Sequence, residues 1–150
     1  MESGNKNPPP RRVRNRQFHY IGQTREAFAA RHSPIISVDT KKKELIGQFK
    51  NPGTSWEKDP RRVKDHDFRS DAEGMMIPYG IFDPEANCGF VVVGTQCETP
   101  AFAVDAILLW WNSCGSRMYP NTSELLILAD CGGGNSSRAR ARKYHLQTQL

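Results

Sequence analysis

Apolar residues come along this chain in short blocks rather than in one sustained period. Ile35-Ile36-Ser37-Val38 is β-branched and apolar and closes on Asp39, the pattern of a buried strand ending in a carboxylate. Pro34 breaks any helix before it. Residues 45–49 continue that strand after a basic interruption. Residues 77–82 and 89–94 are two further strand-like runs. Asp83-Pro84-Glu85-Ala86-Asn87 between them is a turn sequence, so the pair predicts a β-hairpin. Thr99-Pro100 has the form of an N-cap followed by proline at the first helical position. Residues 101–112 are apolar almost all round, which predicts a mostly buried helix with Gly115 as its stop. Residues 125–129 form a continuous apolar run, as in a buried strand, and end at Asp130.

That order is strand, hairpin, helix, strand, and then residues 138–150, which have helical propensity. It predicts an α/β fold: a mixed sheet in which a helix crosses over to a further strand. Residues 1–16 are polar, contain Pro8-Pro9-Pro10 and predict an extended arm. Residues 17–31 predict a short helix with Phe18, Ile21 and Phe28 on its apolar side and Thr24 as a cap for the segment after it. Residues 50–74, rich in Pro, Gly and mixed charge, predict a long loop, and a loop of that length implies a function. The expected organisation is therefore a basic arm and linker helix over residues 1–33, then one domain over residues 34–150. No internal repeat is visible.

Composition narrows the class. A domain of 150 residues buries roughly 70% of its unfolded surface, enough for a core. With 37% hydrophobic and 25% charged residues, the chain reads as a soluble globular protein. No apolar run approaches the ~20 residues needed to span a bilayer, and no leader pattern opens the chain, so a cytoplasmic protein with no membrane partner is expected. Cys88, Cys97, Cys114 and Cys131 form no C-x-x-C pair and are expected as reduced thiols. The net charge of +5 is uneven: Lys6, Arg11, Arg12, Arg14 and Arg16 crowd one end, and Arg138, Arg140, Arg142 and Lys143 the other. Basic ends suit a polyanion such as nucleic acid, or simply a solvated tail.

Asp39 and Asp130 end two strands of the same kind. If those strands are neighbours, the two carboxylates emerge together and repel unless a cation or proton lies between them. Mg²⁺ takes oxygen ligands and is commonly held by one or two carboxylates plus substrate phosphates. Two such ions ~3.5–4 Å apart can activate a nucleophile and stabilise a leaving oxygen of a phosphodiester. The alternative is that each aspartate merely ends a strand or caps a turn. Lys41-Lys42-Lys43 directly follows and could hold phosphates, or form a solvated edge that deters pairing. Gly132-Gly133-Gly134 permits close backbone approach and positive φ beside Asp130, but no Gly-Lys-Ser/Thr follows as in a phosphate-binding P-loop. Trp110-Trp111 reads as helix core before base-stacking platform. His19, His32, His66 and His145 share no spacing and read as surface residues, with His66-Asp67-Phe68 the one cluster in the long loop.

Several motifs then coincide in order and spacing: SVDTKKKELIGQFKN at 37–51, HDF at 66–68, IPYGIFD at 77–83, FAV at 102–104, RMYP at 117–120 and LLILADCGGGNSSR at 125–138. Over about residues 17–150 the chain resembles the Rhodopirellula transposase family, DDE-type insertion-sequence transposases with an RNase H-like catalytic domain. The resemblance implies that Asp39 and Asp130 are the first and second metal-binding, catalytic carboxylates. It also implies Mg²⁺- or Mn²⁺-dependent cleavage and strand transfer on transposon-end DNA, by an enzyme that works as a homo-oligomer. Lys41, Lys42, Lys43, Arg138, Arg140 and Arg142 are the expected DNA contacts. The family pattern also has an upstream DNA-binding helical region and a downstream glutamate in a motif like Trp-Asn-Pro-Ile-Glu-His. No Asp or Glu follows Asp130 here, so the expectation is an RNase H-like sheet incomplete at the C-terminus, with two of three carboxylates and an uncovered sheet edge.

Three functions fit these residues: a nuclease and strand transferase in its parent form; a remnant that binds DNA or metal without turnover; and a small metal-dependent phosphohydrolase using Asp39 and Asp130 alone. The missing carboxylate favours the second for this chain.

Overall fold

A computed structural model describes residues 11–50, 56–60, 62–64, 69–95, 97–130, 132–136 and 139–149. Among them run helix α1 (Arg11–Ala30), strands β1 (Ile35–Thr40), β2 (Glu44–Ile46), β3 (Gly74–Asp83) and β4 (Cys88–Gly94), helices α2 (Pro100–Trp110) and α3 (Ser116–Met118), strand β5 (Leu126–Ala129) and helix α4 (Arg140–Gln149). β4, β3, β1 and β5 lie side by side, with β1 parallel to β5 and antiparallel to β3. The chain passes from β4 through α2 to β5, so the expected mixed sheet with a helical crossover is what forms.

Alternation along the strands sorts the side chains. Ile36, Val38, Tyr79 and Ile81 point to one face and pack against Ala103, Ala106, Ile107 and Trp110 of α2. Burying each of these isoleucines contributes about 1.5–3 kcal/mol. The other face carries Ser37 and Asp39 of β1, both exposed, with exposed Phe82, Val91 and Val93 beyond them. α2 starts as its sequence implies: the Thr99 hydroxyl oxygen accepts from the Phe102 amide at 3.1 Å, with Pro100 in the first turn. Gly115 does not stop it. The helix passes through a π turn, Trp111–Gly115, into α3.

The hairpin forms, closed by the pair Asp83 and Cys88. Buried Asp83 fixes its turn, since Oδ1 accepts from the amides of Glu85 and Ala86, each at 3.0 Å. Oδ2 accepts from the Tyr119 hydroxyl at 2.8 Å. Burial, and then the hydrogen bond to Asp83, push the Tyr119 hydroxyl well above the usual tyrosine range.

Three expectations need correction. Arg11–Arg16 is not extended arm: α1 begins at Arg11, because arginine is a good helix former even where no apolar period marks it. Thr24 caps nothing; its hydroxyl donates to the Tyr20 carbonyl within α1. β5 is half-buried rather than buried. Among the described strands it pairs only with β1, and its outer side opens on a groove lined by Trp111, Leu125, Ile127 and Leu146.

β2 runs on along β3 in the same sense as β1, but one residue out of step. Thr40 faces Tyr79 whereas Glu44 faces Met76, so the first strand advances four residues while β3 advances three. The extra residue lies in Lys41–Lys43, and a β-bulge is the device that absorbs one. The strand expected over residues 45–49 ends at Ile46; Phe49 beyond it is buried and bridges to Lys64 of the long loop, and the Lys64 ammonium holds the exposed Asp71 carboxyl below its usual range through a 2.6 Å contact. His66, Asp67 and Phe68 lie outside the described residues, as do residues 1–10.

Candidate metal centre

β1 and β5 are short parallel strands in register: Ile35 beside Leu126, Ile36 beside Ile127, Ser37 beside Leu128 and Val38 beside Ala129. One further step puts Asp130 at the position beside Asp39. Adjacent strands lie about 4.8 Å apart, so the two aspartates leave neighbouring strand ends as near neighbours. Both are exposed. On the opposite side of β1, Asp39 faces Gly80, which has no side chain to crowd the carboxylate.

Each carboxylate has one oxygen tied to local backbone. Asp39 Oδ1 accepts from the Thr40 amide at 2.8 Å, and Asp130 Oδ1 accepts from the Gly132 amide at 3.2 Å. Among the described residues neither Oδ2 receives a hydrogen bond, and neither carboxylate pairs with a basic side chain. Carboxylate oxygens with no donor among the described residues are the kind of ligand a hard cation such as Mg²⁺ or Mn²⁺ takes. Among the described residues no third Asp, Glu, His or Cys completes the set.

The turn after Asp130 is built for close approach. A Cβ on Gly132 would lie 2.9 Å from Asp130 Oδ2, and one on Gly134 would lie 2.8 Å from the Thr99 carbonyl oxygen. Glycine is needed for space at Gly134, where the contact is backbone, whereas at Gly132 it is the movable end of the Asp130 side chain; positive φ among the described glycines occurs only at Gly47. The Gly134 amide donates to Glu98 at 3.1 Å, so the turn is pinned beside the start of α2.

Beneath the turn lies a buried polar cluster that sequence reasoning missed. The Tyr79 hydroxyl donates to Asn135 Oδ1 at 2.7 Å, and Arg142 donates from a guanidinium nitrogen to the Asn135 carbonyl at 2.9 Å. Burial pushes the Tyr79 hydroxyl up to about 12 against the pull of Arg142 and of the Asn135 hydrogen bond; the charges of Asp130 and Asp39 add to the rise. The available signals were Tyr79 inside an apolar strand and Asn135 behind three glycines, both at positions where an unpaired polar group would be costly.

The expected DNA contacts separate. Lys41, Lys42 and Lys43 are exposed directly after Asp39 and Thr40, with Lys41 ion-paired to Glu44 at 2.7 Å. Arg140 is exposed at the start of α4. Arg142, two residues on, is turned inward and buried, so it holds the Asn135 turn rather than offering its charge at the surface. Arg138 lies outside the described residues, as does Cys131. Trp110 is core, as expected, while Trp111 is half-buried at the groove beside β5. Cys88, Cys97 and Cys114 are free thiols. No helix among the described residues is long and apolar enough to cross a membrane.

A mixed sheet with a helical crossover and two aspartates at the ends of adjacent parallel strands fits an RNase H-like domain. The family model described as Rhodopirellula transposase DDE domain matches residues 2–149, and the chain belongs to that family. Neither the curated proteins nor the solved structures compared with it gave a match.

Proposed function

We propose that Asp39 and Asp130 together hold a divalent cation, Mg²⁺ or Mn²⁺, and that this pair is the metal-binding part of a DNA-cleaving and strand-transferring centre. What supports the reading is the parallel register of β1 and β5, which runs out at these two aspartates. The cation, when bound, supplies Lewis-acid stabilisation of charge developing on phosphodiester oxygens. The rest falls to this chain's own groups. The Thr40 and Gly132 amides orient the carboxylates, and Lys41–Lys43 and Arg140 draw the DNA backbone to the strand ends.

A second reading has its own observation. Among the described residues no third carboxylate joins Asp39 and Asp130, and two carboxylates alone make a weak cation site, which favours a remnant that binds metal or DNA without turnover. Incubating labelled terminal-repeat DNA with the chain and Mg²⁺ or Mn²⁺ separates the two. Cleavage that Asp39→Ala abolishes supports the enzyme; no cleavage, with Mn²⁺ binding lost in Asp39→Ala, supports the binding remnant. Cleavage that survives Asp39→Ala would sink the site assignment itself.

A further inference from the structure

The two proposed metal-binding carboxylates are connected through two buried residues, Tyr79 and Asn135. Thr40, whose amide holds Asp39 Oδ1, faces Tyr79 in the β1–β3 ladder. On the other side, the Tyr79 hydroxyl holds Asn135, the Asn135 amide donates to the Gly132 carbonyl at 2.9 Å, and the Gly132 amide holds Asp130 Oδ1. Tyr79 thus ties the strand end that orients Asp39 to the turn that orients Asp130. Arg142 closes the cluster from α4 by holding the Asn135 carbonyl.

The cluster is costly for a purely structural one. Asn135 is 2% exposed and Arg142 9% exposed, yet among the described residues Asn135 Nδ2 and Arg142 Nε have no partner. Buried donors left unmade destabilise, as does a buried guanidinium with no carboxylate beside it. An apolar residue at 135 would remove the unpaired amide, but it would also untie the turn from Tyr79.

We infer that Tyr79 and Asn135 are positioning residues that set the separation and orientation of Asp39 and Asp130, and so tune the affinity of the centre for a divalent cation. The inference rests on the metal-centre reading above. Groups that orient metal ligands from behind typically change affinity by 10–100-fold when removed. Tyr79→Phe keeps the buried ring and deletes only the hydroxyl; Asn135→Ala cuts the same path from the other end.

The test is a Mn²⁺ titration of the full chain, read by the loss of the free-ion EPR signal, with thermal melts beside it. In Tyr79→Phe, Mn²⁺ affinity falls on the order of tenfold while the protein stays folded at the titration temperature. The double variant Tyr79→Phe/Asn135→Ala loses no more than Asn135→Ala alone, because both act through one path. Unchanged Mn²⁺ affinity in folded Tyr79→Phe and Asn135→Ala, with binding lost in Asp39→Ala, overturns the inference and leaves the metal centre standing. If Asp39→Ala also binds normally, the metal centre falls and the inference with it. Should Tyr79→Phe fail to fold, Asn135→Ala decides by the same readings.

Discussion

Tyr79 has two consequences that can be separated by pH. Its hydroxyl is raised from its ordinary 10.0 to about 12 in the folded chain. Below pH 10 the folded and unfolded states both keep the proton, and the hydroxyl adds no pH dependence. Between 10 and about 12 the unfolded state releases the proton while the folded state retains it, so stability falls as pH rises. The full loss is about 2–3 kcal/mol, at about 1.4 kcal/mol for each pH unit of that interval. Urea denaturation across this range should show a stability slope in Tyr79→Phe shallower by about one proton than in the parent. Equal slopes would mean that Tyr79 ionises as freely in the folded chain as in the unfolded one. At the same scale, Asp130→Asn should weaken Mn²⁺ binding with little change in melting temperature, because its carboxylate is exposed and, among the described residues, holds only the Gly132 amide. A large drop in melting temperature would make Asp130 a structural turn residue instead.

Elements are held in place here by a few points of close approach. Gly134 lies against the backbone at the start of α2, where an added Cβ would sit 2.8 Å from a carbonyl oxygen that cannot swing away. Gly134→Ala should therefore cost about 1–3 kcal/mol, the range for overpacking a tight contact. It should also loosen Mn²⁺ binding, since the same turn carries Asp130. Thr99→Ala, which removes only the cap of α2, should cost about 1 kcal/mol and leave Mn²⁺ affinity alone. Chemical denaturation paired with Mn²⁺ titration distinguishes them; identical effects of both variants on metal affinity would refute the link between the turn and the centre. The bulge at Lys41–Lys43 works at this scale too. It inserts one residue just past Asp39, and three lysines occupy the irregular stretch.

Across the whole molecule, charge would govern the proposed binding to DNA. Contacts with phosphates release counterions, so each lysine that touches one contributes about one unit to the slope of log affinity against log salt. Replacing Lys41, Lys42 and Lys43 with alanine should weaken binding to any duplex sequence alike and flatten that slope by up to about three. Arg140→Ala should flatten it by about one. Arg142→Ala should instead lower stability and leave the slope unchanged, because its charge is buried beneath the Asn135 turn. Filter-binding or fluorescence anisotropy at several salt concentrations measures this; a slope unaffected by the lysines would remove them from the DNA interface.

The elements around the centre were largely legible in the sequence because each carries a local signal. β-branched blocks mark β1 and β5, the Asp-Pro-Glu-Ala-Asn turn marks the hairpin, and Thr99-Pro100 marks the start of α2. Asp39 and Asp130 were legible as strand-end carboxylates, and the family motifs named them as a pair. Helix α1 was legible only in part, since its arginine-rich first turns have propensity without an apolar period. What the tertiary structure decided is everything that depends on residues distant along the chain. The parallel register of β1 against β5 brought the strand ends that precede Asp39 and Asp130 next to each other, because pairing, not local pattern, determines which residue faces which. Packing turned Arg142 inward while Arg140 stayed out, a distinction invisible in an Arg-Ala-Arg run whose charge is the same either way. Tyr79 and Asn135, 56 residues apart, became partners only when β3 and the glycine turn met beneath the centre.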